Sequence, residues 1–355
     1  MPIEDFSARN FRCLAKAELE FSPTYNLIHG VNASGKTSIL EALAYLGRGK
    51  SFRGATPTEL VRHGEKEFVL FGRVRSGSAV HRVGVGNSAA GLELRIDGDS
   101  GGGAAALASI LPLQIIDPDV HELVAGAPEY RRRYLDWVAF HVEHGYLAVW
   151  RSFRRALKQR NAALRSGASA AAIRSWNAEF AALAMALDAG RRQALSAIEI
   201  KLQDAAEGLL GAELGVDYQA GWPQDLSLVE ALGQGMDKDL QQGSTQYGPH
   251  RGDLRLKFDA KLARKLVSRG QQKLLACGMV LAAADAAQVE LGRPLVLLLD
   301  DPAAELDRDS LLRLMGRVAE LECQVVATSL RRDEVLFPVP PTLFHVERGA
   351  VRRAS

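Results

Sequence analysis

The most constraining feature of this sequence is a glycine-rich loop, GVNASGKTS, at residues 30–38. It matches the pattern G-x-x-x-x-G-K-[S/T] and stands between a strand-like stretch, YNLIH, and a helix-like stretch, SILEALAYL. Glycines let backbone N–H groups turn inward around a phosphate, and the start of the helix adds the positive end of its dipole. A chance glycine-rich turn is the alternative, but strand, loop and helix occur in the required order. We therefore predict a site for ATP and Mg²⁺ with loop contacts from Gly30, Val31, Asn32, Ala33, Ser34, Gly35, Lys36, Thr37 and Ser38.

Two loop residues and two later carboxylates have distinct predicted roles. Lys36 is expected to neutralise the β- and γ-phosphate oxygens, and the Thr37 hydroxyl to bind Mg²⁺. Asp300 ends LVLLLDD, a strand that is apolar on both faces, where a charge is costly without a partner; the expected partner is the Mg²⁺. Asp301 is the candidate to orient and polarise the attacking water, so Lys36 and Asp301 are the predicted catalytic residues. The alternative is that both acids only cap the turn before Pro302.

Composition and charge argue against several classes of protein. The chain has 355 residues and is 47% hydrophobic, yet no run of about 18 apolar residues is evident, so no membrane span is expected. Its N-terminus lacks the apolar centre of a secretion signal, which predicts a cytoplasmic protein. Cys13, Cys277 and Cys323 are scattered and odd in number, which argues against a disulfide framework or a zinc site. The net charge of +2 is too small to indicate a nucleic-acid partner, so a basic surface would require local clustering.

The pattern of strands and helices changes twice along the chain. Strand-like alternation and one helix occupy the first part, and the chain is helical in pattern from Glu129 to about Leu210, without sustained heptads. Strands and helices alternate again in the last third, where RGQQKLLACGMVLAAADAAQVEL is a predicted helix and RPLVLLLDD a buried parallel strand. We therefore predict an α/β nucleotide-binding head built from residues 1–127 and 241–355, with an α-helical subdomain inserted at 128–240.

Several motifs together carry a family resemblance. In order along nearly the whole chain they are NFRCLAKAELEFSPTYNLIHGVNASGKTSILEAL, GAPEYRRRYLDW, GPHRGDLRL, LVSRGQQKLL and LLLDDPAAELD. They resemble the RecF family of SMC/ABC-type ATPase heads; the phosphate loop alone is common, whereas the combination is specific. The resemblance implies an ATP-dependent homodimer that hydrolyses ATP weakly and binds single-stranded and gapped double-stranded DNA. It also implies a role in DNA replication, gap repair and SOS induction, in which RecO and RecR are partners and RecA is loaded.

The resemblance also implies roles for single residues. SRGQQK stands where such heads carry their signature motif, so Ser268 and Gly270 would contact the γ-phosphate bound on a second subunit. Gln114 would be a Q-loop residue that contacts Mg²⁺ or water, and Arg12 would lie near the nucleotide. Thr328 stands at the position of the usual switch histidine, where its hydroxyl could still bond the γ-phosphate.

Three positions depart from the usual pattern of these heads. Ala33 stands where glycine is frequent, Asp301 stands where most such ATPases have glutamate, and Thr328 cannot carry a charge. All three departures favour a slow switch over a fast motor.

A basic stripe in the predicted helical subdomain is the candidate DNA contact. Arg151, Arg154, Arg155 and Lys158 recur at i, i+3, i+4 and i+7, and such a stripe could contact phosphates without reading bases. The alternative is an ordinary solvated helix face. A structural role is favoured for the three consecutive arginines at residues 131–133. For His250, a structural or interface role and a phosphate contact are equally compatible with the sequence. A DNA-independent ATP switch that only gathers protein partners is the alternative function.

Overall fold

The structure, a computed structural model, describes residues 3–100, 102–258 and 261–354. Contacts divide the chain into two units. The first comprises the chain up to Val120 and again from Leu291, and the second is His121–Glu290. Both ends of the chain therefore build one unit, but the predicted boundary at residue 240 differs from the one observed, because the segment 241–290 belongs to the second unit.

The first unit begins with strands around a single long helix. In chain order the elements are β1 Ile3–Phe11, β2 Leu14–Glu20, β3 Tyr25–His29, α1 Lys36–Arg48, α2 Pro57–Leu60, β4 Phe68–Ser76, β5 Ala79–Ser88, β6 Gly91–Ile96, α3 Gly103–Ile110 and β7 Leu113–Ile116. Helix α1 starts directly after Gly35 and ends at Gly49, whose left-handed backbone lets its N–H bond the carbonyl of Tyr45.

The second unit is mostly helical but also contains strands. After a 3₁₀ turn at Pro118–His121 its elements are α4 Glu122–Ala125, α5 Pro128–Val142, α6 Tyr146–Arg165, α7 Ala170–Arg174, α8 Asn177–Leu210, β8 Gly215–Gln219, α9 Leu228–Gln234, α10 Met236–Gln242, a 3₁₀ turn at Pro249–Arg251, β9 Asp253–Phe258, β10 Lys261–Leu262, α11 Ala263–Leu266 and α12 Arg269–Leu291. Strands β10, β9 and β8 form an antiparallel sheet that the sequence pattern did not predict.

The segment 241–290 joins the second unit because β9 pairs with β8 and α12 packs on α8. A Cβ on Gly278 would lie 3.1 Å from the Ala205 Cβ and 3.2 Å from the Leu209 Cδ1, so a small residue on each helix permits close approach. Helix α12 is long and apolar enough to cross a membrane by length and composition, but 72% of that apolar stretch is buried inside the protein. Most of this apolar stretch, which the sequence analysis did not count as a candidate span, is therefore part of the protein core.

The chain returns to the first unit through the central strands of its main sheet. The last elements are β11 Val296–Leu299, α13 Arg308–Glu320, β12 Gln324–Ser329, β13 Thr342–Glu347 and β14 Ala350–Ala354. The six-stranded sheet has the order β14-β13-β3-β12-β11-β7, in which all pairs are parallel except β13 with β14. Strand β11 is fully buried, as its continuous apolar sequence predicted.

A second, antiparallel sheet of the first unit has the order β2-β1-β4-β5-β6. Its buried side chains share one core with α1 and with the main sheet; Phe6 and Phe68 from the antiparallel sheet, Leu43 from α1, and Leu298 and Phe344 from the main sheet belong to it. The core fixes α1 against both sheets. The loop between β3 and α1 is thereby held at the carboxyl edge of the parallel strands, where ligands bind in open α/β sheets.

Candidate nucleotide site

A cavity of about 560 Å³ lies at this carboxyl edge, within the first unit. Its volume falls in the range of small-molecule sites, about 300–1,000 Å³. The cavity is lined by Cys13, Asn32, Ala33, Ser34, Gly35, Lys36, Thr37, Ser38, Phe52, Arg53, Asp117, Pro118, Asp119, Asp300 and Asp301. Most of the predicted loop, both predicted carboxylates and several residues that were not predicted are thus brought together.

The loop takes a backbone conformation that requires small residues at two points. Gly35 has φ of 116°, and a Cβ on Gly30 would come within 2.3 Å of the Val346 carbonyl oxygen. Ala33 adopts φ of 61°, in the left-handed region, which is costly for a residue with a Cβ. Ala33 therefore adopts a backbone conformation that glycine takes more easily, as expected from the frequency of glycine at this position.

The Lys36 ammonium is held inside the loop by carbonyl oxygens. Its Nζ donates to the carbonyls of Gly30 at 2.6 Å and Val31 at 3.1 Å. Burial lowers the pKa of Lys36, and the nearby carboxylates of Asp301 and Asp300 act in the opposite direction. A phosphate entering the cavity would meet a cation that is already desolvated and positioned.

Asp300 is fixed by two hydroxyl groups. The Thr37 Oγ1 donates to the Asp300 Oδ1 at 3.0 Å, and the Thr328 Oγ1 donates to the same oxygen at 2.8 Å. The Thr328 Oγ1 also accepts the Asp301 backbone N–H at 2.9 Å. Thr328 is fully buried and is absent from the cavity lining, so it differs from the predicted γ-phosphate contact: its one hydroxyl proton serves Asp300.

The oxygen donors of the site fit Mg²⁺. Mg²⁺ binds through one or two carboxylates together with substrate phosphates, and Thr37 and Asp300 offer a hydroxyl and a carboxylate within 3.0 Å of each other. Across the described ranges, no group of three His, Cys, Asp or Glu side chains could hold a metal by itself. In addition, the buried Ser34 hydroxyl of the cavity wall has no hydrogen-bond partner among the described residues.

Asp117 is a site residue that the sequence reasoning missed. Strand β7 pairs with β11 so that Ile116 lies beside Leu299, which puts Asp117 next to Asp300. Burial, with the nearby charges of Asp119 and Asp300, raises the pKa of Asp117 to about 6. The sequence signal was IIDPD, a carboxylate at the end of a strand, but its neighbours depend on strand order. Arg53, which also lines the cavity, gave no comparable signal.

Gln114 bonds to Arg48 in the structure. It lies within β7, is absent from the cavity lining, and its Oε1 accepts a hydrogen bond from the Arg48 Nη2 at 3.3 Å. The strand ends two residues later, at Ile116, so the residue that follows β7 at the carboxyl edge is Asp117. The predicted Q-loop contact with Mg²⁺ or water would require the Gln114 side chain to leave Arg48.

Arg12 is close to the site but is bound to another residue. Its Nε and Nη2 donate to the two carboxylate oxygens of Glu41 at 2.9 Å, and its Nη1 donates to the Glu59 carbonyl at 3.3 Å. The hydrogen bond to the fully buried Glu41 raises the pKa of Arg12. Cys13, the next residue, lines the cavity, whereas Arg12 does not. The predicted nucleotide contact would require Arg12 to exchange this partner.

The signature-like segment lies in the second unit. Ser268 precedes α12, where its backbone N–H donates to the Gln271 Oε1 and its Oγ accepts the Gln271 N–H, the reciprocal pattern of a capping box. Ser268 and Gly270 both belong to the second unit, whereas the cavity lies in the first. Ser268 is exposed and Gly270 is half-buried.

The basic stripe lies on α6, as predicted. Arg151, Arg154, Arg155 and Lys158 are all exposed, and the Arg154 guanidinium stacks over the Trp150 ring at 4.6 Å. The opposite face of α6 buries Phe153 and Leu164. The stripe is therefore a solvent-facing cationic row, compatible both with phosphate contact and with an ordinary solvated face.

Two of the three consecutive arginines on α5 make structural contacts, as favoured from the sequence, whereas Arg133 is exposed and pairs with Glu129 on the same helix. Arg131 is buried and pairs with Asp253 at 2.8 Å, and Arg132 donates to the Gly252 carbonyl at 2.9 Å. His250 bonds the Thr245 carbonyl through Nε2, and burial lowers its pKa to about 4. A pKa this low keeps His250 neutral at pH 7, which favours a structural role over a contact with phosphate.

Comparisons with known proteins bear on the whole chain. The family model "RecF/RecN/SMC N terminal domain" matches residues 2–338. The chain is 36% identical over 359 residues to the DNA replication and repair protein RecF of Marinobacter nauticus, covering 97% of this chain and 95% of that protein. It is 37% identical over 360 residues to the protein of the same name from Pseudomonas syringae pv. syringae, covering 99% and 98%.

Solved structures agree with this assignment. One, described as the recombination mediator protein RecF with ATP in the RecFOR pathway, superposes with a TM-score of 0.90 at 25% identity and covers 100% of this chain and 98% of that chain. An SMC head bound to the C-winged helix domain of ScpA superposes with a TM-score of 0.63 at 15% identity, covering 100% and 97%, and shows the fold alone. The predicted ABC/SMC-type head is thus confirmed, and the chain belongs to the RecF family of DNA replication and repair proteins.

Proposed function

We propose that the chain is a RecF-type ATP switch in which two copies close around two composite ATP sites. The carrying observation is the division of the motifs: the phosphate loop, Lys36 and Asp300 meet in one cavity of the first unit, whereas Ser268 and Gly270 belong to the second unit. A signature segment in a different unit from the phosphate loop can serve the nucleotide of another chain. Solved relatives described with ATP and an ATP analogue support nucleotide binding in this cavity.

The residues of the cavity divide the chemistry among them. The Lys36 ammonium neutralises phosphate oxygens, and the helix start behind it adds a favourable dipole. Thr37 and Asp300 would hold Mg²⁺, which supplies charge neutralisation at the phosphates. Asp301 orients the attacking water, and Thr328 fixes both acids by bonding the Asp300 carboxylate and the Asp301 N–H.

The geometry at Asp301 suits slow hydrolysis. Its φ is 49°, in the left-handed region, where aspartate is tolerated better than most residues because its short side chain can bond locally. Glutamate would extend further towards a water but fits this backbone less well. We therefore propose a weak ATPase in which nucleotide state sets dimerisation, and hydrolysis releases the dimer.

The biological setting is proposed from the relatives. Solved relatives are described as recombination mediators in the RecFOR pathway, which supports action with RecO and RecR in the cytoplasm to load RecA at gaps. The DNA would be single-stranded or gapped, and gap repair would support replication and SOS induction. The exposed stripe Arg151, Arg154, Arg155 and Lys158 on α6 is the proposed phosphate contact.

A charge placed at Ser268 tests the composite site. Ser268→Asp keeps a good helix cap but puts a carboxylate opposite the incoming γ-phosphate, so ATP should no longer produce dimers in sedimentation. Ser268→Arg should also prevent ATP-dependent dimerisation, because its long side chain would occupy the space that the γ-phosphate of the other chain needs. ATP binding by the single chain should change less than about twofold, because every residue that lines the cavity belongs to the first unit and Ser268 belongs to the second. Hydrolysis per chain should fall with dimerisation.

The matched control is Ser227→Asp. Ser227 caps α9 with the same reciprocal pattern through Glu230 and is also exposed. This variant should dimerise with ATP like the unmodified protein. If Ser268→Asp also dimerises and hydrolyses ATP normally, the composite-site proposal is wrong.

The alternative function is a switch that gathers proteins without binding DNA. The salt dependence of the affinity for DNA distinguishes it from the proposed function. The triple variant Arg151→Gln/Arg154→Gln/Arg155→Gln should reduce the slope of log affinity for single-stranded DNA against log salt by about 2, at roughly 0.7 per lost phosphate contact. The control triple variant is Arg62→Gln/Arg95→Gln/Arg331→Gln, whose arginines are exposed in ion pairs. An unchanged slope in the stripe variant would remove the stripe from DNA binding.

A further inference from the structure

A second cavity, separate from the nucleotide cavity, lies at the β14 edge of the main sheet. Its volume is about 420 Å³, and it belongs entirely to the first unit. We call it the edge pocket and define it by six of its lining residues: His29, Arg332, Leu343, His345, Arg352 and Arg353. None of these residues lines the nucleotide cavity.

The strand register explains how two imidazoles and a guanidinium meet there. His345 on β13 pairs with His29 on the parallel strand β3 and with Arg352 on the antiparallel strand β14. The two imidazole rings are 5.0 Å apart. Phe344 and Val346, which alternate with His345, are buried in the core, so the row His29–His345–Arg352 occupies the other face of the sheet.

The edge pocket concentrates positive charge without an acidic residue in its lining. Within the described part of the chain, no carboxylate lies at ion-pair distance from Arg332, Arg352 or Arg353. The neighbouring Arg331, by contrast, pairs with Glu334 at 3.1 Å. Burial, with the nearby His345 and Arg332, lowers the pKa of His29. Clustered cations of this kind repel each other, and a bound anion would relieve that repulsion.

The chemistry of the lining favours a phosphate group of a nucleotide whose base lies close enough to stack. Guanidinium groups bind phosphate through paired N–H donors, and imidazole and guanidinium planes stack on bases. Leu343 adds an apolar contact for such a base. A carboxylate peptide would satisfy the charges but would leave the paired imidazole faces without a stacking partner.

We propose that the edge pocket binds a phosphate group of a nucleic-acid strand, as a contact separate from the α6 stripe. This inference rests on the proposed DNA binding and adds a second site to it. The location on the head implies that a strand can be held by the first unit independently of the helical unit.

The test uses the double variant Arg332→Gln/Arg352→Gln in the full chain. Its affinity for a 20-nucleotide single strand should fall about tenfold at low salt. The slope of log affinity against log salt should fall by about 1.4, for two phosphate contacts at roughly 0.7 each. ATP affinity should be unchanged, because neither residue lines the nucleotide cavity. The matched control is Arg95→Gln/Arg331→Gln, which removes two exposed, paired arginines outside the pocket and should keep affinity and slope.

Further arms separate the possible sources of the anion. A 5′-phosphorylated strand is compared with its 5′-hydroxyl form, and inorganic phosphate and poly-glutamate are used as competitors. Loss of affinity for both strands in the double variant supports a backbone contact, and loss confined to the phosphorylated strand supports a terminal phosphate. The nucleic-acid assignment would be overturned if poly-glutamate bound as tightly as the strands and lost its affinity in the same double variant. It would also be overturned if the double variant lost affinity for inorganic phosphate but kept its affinity for both strands.

Failure of this inference can be told from failure of the proposed function. If the unmodified protein binds no strand, both are wrong. If it binds strands and the double variant binds them equally well, with the same salt slope, only the edge pocket is excluded.

Discussion

A Lys36→Ala variant should bind ATP at least about 100-fold more weakly than the unmodified protein. Hydrogen bonds to charged groups contribute about 1.5–3 kcal/mol each, and an ammonium between β- and γ-phosphates makes at least two of them. A loss of about 3 kcal/mol corresponds to roughly 100-fold in affinity. Lys36 already lies in the cavity with its ammonium on the loop carbonyls of Gly30 and Val31, so little rearrangement precedes binding. Equilibrium binding of a fluorescent ATP analogue measures the effect.

Stability measurements separate lost binding from lost folding in this variant. Burial lowers the pKa of Lys36, which means that the desolvated ammonium costs the folded state free energy when no phosphate is present. Unfolding without nucleotide should therefore occur at the same or a higher temperature. Lys16→Ala, at an exposed lysine paired with Glu18, is the matched control and should retain ATP affinity. Wild-type ATP affinity in Lys36→Ala would exclude this cavity as the nucleotide site.

Arg160→Leu should destabilise the second unit by about 3–5 kcal/mol, the range for breaking a buried ion pair from one side. Arg160 and Asp239 are both almost fully buried, and the Arg160 Nη1 donates to the Asp239 Oδ2 at 2.6 Å and to the Thr245 Oγ1 at 2.8 Å. Asn177 accepts from two other nitrogens of the guanidinium at 3.3 and 3.4 Å. Leucine would leave the Asp239 carboxylate buried without a cation.

Tryptophan fluorescence during urea unfolding reports this loss selectively. All four tryptophans of the chain, Trp137, Trp150, Trp176 and Trp222, lie in the second unit. Arg155→Leu, on the exposed face of the same helix, is the control and should change stability by less than about 0.5 kcal/mol.

A second substitution isolates the buried charge as the cause. Arg160→Leu/Asp239→Asn should recover part of the loss, because asparagine keeps an acceptor for the Gln246 N–H without a charge. A loss below about 1 kcal/mol in Arg160→Leu would show that solvent or another group compensates Asp239.

The local part of the nucleotide site could be predicted because its geometry is encoded within a few consecutive residues. The loop from Gly30 to Ser38 contains its own turn-forming glycine, its cation and its helix start, so no distant contact is needed to recognise it. Asp300 was recognisable for a related reason: an acid that ends a fully apolar strand needs a partner outside the strand. The structure brings both to one cavity.

The contacts that Gln114 and Thr328 make in the structure could not be predicted from the sequence, for a common reason. Both were placed by analogy with positions in related heads, whereas their actual contacts depend on side-chain direction and on partners far along the chain. Arg48 binds Gln114, and Asp300 takes the hydroxyl proton of Thr328. Asp117 was missed because its place beside Asp300 follows from β7 and β11 being neighbours, which the order of strands along the chain does not reveal.

The domain boundary at residue 240 differed from the structure because hydrophobic periodicity identifies a helix but not what it packs against. Helix α12 was predicted with its observed bounds, yet its small residues fit α8 through Gly278 and Ala205. The edge pocket could not be predicted either, because His29 is far in the chain from His345 and Arg352, and strand register brings the three together.

The sequence by itself determined the phosphate loop, the acid that faces it, the buried character of β11 and α12, and the family. These features rest on short-range patterns of glycine, charge and apolar residues. Only the tertiary structure decided which carboxylates share the cavity, which unit contains the signature-like segment, and where three arginines gather beside two histidines. Those outcomes depend on which strands are neighbours and which helices can approach closely, and both are set by packing between segments distant in sequence.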